Sequence, residues 1–136
     1  MTRRIHLATL LLLFALPAQA DQTLSARPQG GWRIGFAPGQ AALTEPGRAA
    51  LARLAPQLAA TPHGRITVEA QASGPADDAS AARRIALARA GTVRDALVAA
   101  GLEATRIDIR ALGLLTPPAD AADILPPGVA RSGTTR

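Results

Sequence analysis

The chain has no cysteine, no lysine and no tyrosine, and its only aromatic residues are Phe14, Trp32 and Phe36. Without cysteine there are no disulfides, no thiolate metal sites and no residue to carry the lipid of a bacterial lipoprotein. Histidine is almost as scarce, with His6 and His63 alone. A Ser-His-Asp set would have to use a histidine lodged between Pro62 and Gly64, and no serine sits in a nucleophile motif. No acidic residues cluster with histidine at metal-ligand spacing, so the sequence points to neither an enzyme nor a cofactor.

Every cation is arginine. The formal charge of +5 and the isoelectric point near 11.6 therefore reflect missing lysines and tyrosines more than a strong positive field. With so small an excess and so few aromatics, nucleic acid is not the expected partner. Arginine does suit carboxylates and phosphates, through its planar fork of donors.

There is one long apolar run, Leu7 to Pro17, preceded by Arg3 and Arg4 and followed by Ala18-Gln19-Ala20. It is short for a membrane span, and the pattern reads as an export signal, residues 1–20, cleaved after Ala20. Removing Arg3 and Arg4 lowers the charge excess by two, to +3. The expected product is periplasmic, starts at Asp21 and carries no membrane anchor of its own. About a hundred residues suffice for one apolar core without disulfides.

Residues 21–31, with Pro28, Gly30 and Gly31, read as a flexible lead. Trp32 to Phe36 alternates as a strand does. A helix is predicted from Thr44 to Ala60, with Thr44 as cap and Leu51, Leu54 and Leu58 on its apolar face; Pro56 should kink or shorten it. Arg65 to Ala72 reads as a second strand, with Ile66, Val68, Ala70 and Ala72 inward and Thr67, Glu69 and Gln71 outward. Ser80 is the expected cap of a long helix reaching Ala100, with Gly101 just past its end. Its buried stripe, Ile85, Ala86, Ala90, Val93 and Leu97, is rich in alanine, so the helix can lie close to a sheet. Thr105 to Gly113 is a third strand. Beyond Leu115 the pattern loses definition: prolines bracket the short piece 119–125, and 126–136 reads as a disordered tail. The order strand, helix, strand, helix, strand, with no legible closing strand, implies an α/β sandwich within a domain spanning 32–125.

Four pieces of this pattern resemble the OmpA-like C-terminal domain, a periplasmic peptidoglycan-binding module. They are Ile34-Gly35-Phe36 with Gln40 to Leu43; Ile66 to Glu69; Arg89-Ala90-Gly91-Thr92-Val93 with Leu97 and Gly101-Leu102; and Arg106-Ile107 with Gly113. The resemblance implies that the domain holds the diaminopimelate residue of a wall peptide. In the family, an aspartate after the second strand takes the ammonium and an arginine on the second helix takes the carboxylate. Arg89 matches the arginine. Ser73 stands where the aspartate belongs, and the family's asparagine and serine on the helix read as Ala82 and Ala86. The arginine-rich closing strand is not recognisable.

Asp77 and Asp78 are the acids that could replace the aspartate by folding over a ligand, although carboxylates before a helix are favoured there anyway. Arg89 could instead pair with an acid of the chain, such as Glu69 or Asp77. Arg83 and Arg84 fit a solvated helix start. Two functions follow. The first is weak non-covalent association with the peptidoglycan stem peptide through Arg89, with Ser73 and Asp77 or Asp78 nearby. The second is a degenerate scaffold module that binds an envelope protein and no wall.

Overall fold

The computed structural model describes residues 22–61 and 63–133. The predicted export signal lies outside them.

Thr44 starts the first helix, α1 (Glu45–Ala59), as expected: its hydroxyl accepts the Gly47 N–H at 3.2 Å, with Glu45 and Pro46 in the first turn. Leu51, Leu54, Ala55 and Leu58 are buried. Pro56 does not shorten the helix. It sits on the exposed face in the last turn, and its carbonyl still accepts the Ala60 N–H at 3.0 Å.

The second helix, α2 (Ala79–Ala99), is capped by Asp78 rather than Ser80. The Asp78 carboxylate accepts the Ala81 N–H at 3.1 Å, so the helix begins just before Ser80. Its end has the geometry of a Schellman motif: Gly101 has φ +108°, its N–H donates to Val98, and Leu102 donates to Leu97.

The strands, numbered in chain order, are β1 (Leu24–Ala26), β2 (Trp32–Gly35), β3 (Ile66–Gln71), β4 (Ile107–Gly113) and β5 (Ala121–Leu125). They form one sheet in the order β1-β2-β5-β3-β4. β3 and β4 are parallel, joined by α2, and every other pair is antiparallel. The unassigned piece 119–125 thus holds the closing strand, inserted at the middle of the sheet. Residues read as a flexible lead hold β1, and Gln22 before it is buried. The Gln22 side-chain oxygen accepts from Thr44 N at 2.7 Å while its amide donates to Ala42.

Both helices cover the same face of the sheet. Ile34, Ile66, Val68, Ala70, Ala122 and Ile124 meet Leu51, Leu54 and Leu58 of α1 and Ala86, Ala90, Val93 and Leu97 of α2 in one core. The alanine stripe keeps α2 near the strands. A side chain added at Gly113 would sit 3.4 Å from the Arg83 backbone.

The helix-free face is polar yet largely dry. Arg33, Asp123, Glu69 and Arg110 stand in one row across β2, β5, β3 and β4. Arg33 forks onto Asp123 at 2.6 and 2.8 Å, and Arg110 pairs with Glu69. The segment read as a tail closes over this row, where Ser132 N–H donates to both Glu69 oxygens at 3.0 and 3.1 Å. Thr67, Glu69 and Gln71, expected to face outward, are all buried.

Gly47 shows how tightly the first strand is held against α1. A Cβ there would meet the Gln22 side-chain oxygen and lie 3.0 Å from the Gln22 Cβ. Glycine to alanine inside a helix ordinarily gains about 1 kcal/mol. Here overpacking of about 1–3 kcal/mol opposes it, so Gly47→Ala is expected to lower the urea midpoint. Adding Gln22→Ala should recover part of the loss.

Candidate functional site

Arg89 lies in the middle of the buried stripe of α2 and is fully buried, the largest such side chain among the described residues. Burying a guanidinium demands partners for its charge and its donors. Arg89 Nε donates to Gln40 O at 2.7 Å, Nη1 to Gln71 O and to Asp120 Oδ1 at 2.8 Å each, and Nη2 to Ala37 O at 3.0 Å. A guanidinium has five N–H groups, so a single Nη2 hydrogen is left over. The Phe36 ring lies beneath, its centroid 5.1 Å from Cζ, which adds a cation–π contact.

These acceptors come from three places that the topology gathers at one end of the sheet. Ala37 and Gln40 belong to the loop between β2 and α1. Gln71 ends β3, where pairing with β4 slips by one residue between Ala70 and Gln71. Asp120 immediately precedes β5. Its carbonyl also accepts the Phe36 N–H at 2.9 Å, which closes the corner between β2 and β5.

Asp120 also meets Ser73. The Ser73 N–H donates to Oδ1 at 3.0 Å and the Ser73 hydroxyl to Oδ2 at 2.6 Å. The position where the resemblance calls for an aspartate therefore does have a carboxylate beside it, supplied from the head of another strand. The Asp120 side chain keeps 15% of its surface open, against 0% for Arg89. Burial pushes the Asp120 carboxyl up. The Ser73 hydroxyl and amide, with the Arg89 guanidinium, more than offset that, and the net displacement is below the ordinary aspartate value.

Of the residues singled out in the sequence, Ser73 and Arg89 come together. Asp77 is exposed and takes no part in this cluster, and Asp78 is occupied as the α2 cap. Arg83 and Arg84 are exposed on the first turns of α2, and neither forms an ion pair among the described residues. Arg89 pairs with neither Glu69 nor Asp77, since Glu69 belongs to the row on the opposite face. Ala82 and Ala86, at the family's asparagine and serine positions, are buried and bring no polar group. Asp120 is the member that sequence reasoning missed. It is 47 residues from Ser73, and only the antiparallel insertion of β5 makes them neighbours.

Among the described residues no group of acids and histidines could hold a metal ion, and no helix is long and apolar enough to cross a membrane.

Arg89→Ala would leave the Asp120 carboxylate without its counter-ion and remove one donor from each of three carbonyls. Breaking one side of a buried ion pair costs about 3–5 kcal/mol, and a loss of that size is expected in chemical denaturation. Asp120→Asn allows a finer test. A carboxyl whose folded value is depressed stabilises fully above its unfolded value, about 3.9, and loses that contribution as pH falls through the folded value. The stability gap between parent and Asp120→Asn should thus be widest near neutrality and narrow below about pH 4, as read from urea midpoints across pH.

The fold is shared with solved OmpA-like domains. The OmpA-like domain of FopA1 from Francisella tularensis superposes with a TM-score of 0.61 at 16% identity, covering 82% of this chain and 86% of that one. The peptidoglycan-associated lipoprotein from Burkholderia pseudomallei gives 0.56 at 19% identity, covering 68% and 87%. The periplasmic domain of Helicobacter pylori MotB gives 0.52 at 17%, covering 75% and 83%. No curated protein matches the chain in sequence. Residues 35–124 match the model of the OmpA family, from the end of β2 through most of β5, and the chain belongs to that family.

Proposed function

We propose that this protein is a periplasmic cell-envelope module that associates weakly and non-covalently with peptidoglycan, through the amine of a diaminopimelate-type stem peptide. The observation that carries this reading is Asp120. It restores, from the head of β5, a carboxylate at the position where Ser73 replaces the family's aspartate. Among the described residues its Oδ2 accepts only from the Ser73 hydroxyl, so the atom retains lone-pair capacity for a ligand ammonium. Support for the setting comes from the family and from the relatives of the same fold, one of which is itself a peptidoglycan-associated lipoprotein. The leader-like first twenty residues support export.

Weak binding follows from Arg89. Its burial and its internal partners leave little for a ligand carboxylate, so one half of the usual two-point grip is spent inside the protein. The same burial favours a second reading, a scaffold module that holds an envelope protein and no wall.

Co-sedimentation of the purified exported protein with diaminopimelate-type sacculi separates the two. On the wall reading the parent pellets, free diaminopimelate releases it, and Asp120→Asn stays in the supernatant while keeping the parent's circular dichroism. The carboxamide in that variant retains the shape and an acceptor for Arg89 but loses the charge. An affinity loss of about ten- to a hundredfold is expected. If the parent never pellets, or both proteins pellet alike, the scaffold reading replaces the wall reading.

A further inference from the structure

Building on the wall-binding reading, we infer that the site selects the amine of its ligand and has no use for the adjoining carboxylate, so that a stem peptide whose diaminopimelate carboxyl is carried as a carboxamide is the preferred ligand. The juxtaposition behind this is an acid with a small part of its side chain open, Asp120, beside a fully buried arginine whose donors are almost all taken.

The guanidinium of Arg89 would have to meet a ligand carboxylate for the usual zwitterion grip. To do so it must give up Asp120 Oδ1, Gln71 O, Gln40 O or Ala37 O. Releasing Asp120 would break a buried ion pair, and releasing a carbonyl would take a donor from a part-buried acceptor. The one remaining Nη2 hydrogen cannot make the paired bonds that a guanidinium offers a carboxylate. The helix positions that correspond to the family's asparagine and serine, Ala82 and Ala86, carry only methyl groups and supply no donor.

Arg83 is an exposed cation that forms no ion pair among the described residues. It lies over Gly113 at the end of β4. Asp120 precedes β5, and β3 stands between β5 and β4. Two strand spacings are about 10 Å, so the strand end beneath Arg83 is offset from Asp120 across the sheet. Asp120 is already paired with Arg89, so a ligand carboxylate brought beside this pair loses its water and gains at most one bond from the guanidinium, which does not offset the desolvation of its charge. A carboxamide has the same shape without the charge, and it can still donate to and accept from the loop backbone.

The test is a pair of synthetic tripeptides ending in meso-diaminopimelate, one with the free carboxyl and one with the carboxamide at the side-chain end. Each is titrated into the exported protein and followed by amide NMR shifts at Ser73, Gly74 and Asp120. The carboxamide is expected to bind about three- to tenfold more tightly than the free acid. Arg83→Ala should leave that ratio unchanged. A free acid that binds as tightly or more tightly, or a preference that changes on Arg83→Ala, overturns this inference while leaving the wall reading in place. Silence of these amides toward both peptides overturns the inference together with the wall reading at this site.

Discussion

A guanidinium cannot be taken out of water without replacing what water gave it, and at Arg89 that requirement organises one whole end of the sheet. The side chain projects from the centre of α2 into the core, where an aliphatic residue would ordinarily sit. The loop after β2 must then turn so that the Ala37 and Gln40 carbonyls point inward. The end of β3 must present Gln71 O, and an acid must stand at the head of β5. No buried side-chain nitrogen or oxygen among the described residues is left without a partner, and each Arg89 nitrogen has at least one acceptor. A buried pair of this kind adds little to stability compared with an apolar replacement of equal shape, but removing one partner is severe. Its effect is to fix geometry: three segments far apart in sequence have one arrangement that satisfies the charge.

The opposite face of the sheet solves a different charge problem. Register places Asp123 directly beside Glu69, two carboxylates side by side on neighbouring strands. Like charges directly opposite each other are unfavourable. The flanking strands offset this, with Arg33 on one side and Arg110 on the other, while Arg27 reaches Asp123 from outside at 3.6 Å. The Ser132 N–H adds a neutral donor to Glu69. The closing strand can therefore be acidic because arginine stands on both sides of the acidic pair. The positive charge on this face stands on the strands around the closing strand, in Arg33 and Arg110.

That arrangement explains what the sequence did and did not reveal. Helices α1 and α2 and strands β3 and β4 were legible because each has a period of its own, as in Ile66-Thr67-Val68 or Leu51 to Leu54 to Leu58. β1 and β5 were not. Ala121 to Leu125 is only five residues long, it contains a charge, and every one of its residues is buried, so it carries no alternating signal. Its pairing comes wholly from distant strands. Residues 22–31 read as a lead because glycine and proline stand out there, yet Gln22 is fixed by contacts with Ala42 and Thr44 that no local pattern encodes. The match of Arg89 to the family motif was visible; its burial was not, because an arginine on a helix is usually solvated. Asp120 was the least legible of all, a single acid in a proline-bracketed stretch whose relation to Ser73 exists only after the sheet has formed.

On the proposed reading, supplying the acid from Asp120 instead of the position of Ser73 changes how the site works. An acid on the approach to α2 could be lost at small structural cost, because it would serve the ligand alone. An acid at the head of β5 serves the fold first. One oxygen of Asp120 is committed to Arg89 and to the Ser73 amide, and the other accepts from the Ser73 hydroxyl. The shared oxygen holds the carboxylate still, and the second keeps capacity for a further donor. On the proposed reading a ligand ammonium would therefore meet a preorganised acceptor whose orientation has already been set during folding, which reduces the ordering required on binding. It would also meet a carboxylate partly neutralised by a buried arginine, which weakens the pull. Preorganisation and partial neutralisation act in opposite directions, and together they favour a rigid, selective and low-affinity contact. Such a contact gains strength on a wall surface by repetition of sites rather than by the grip of any one.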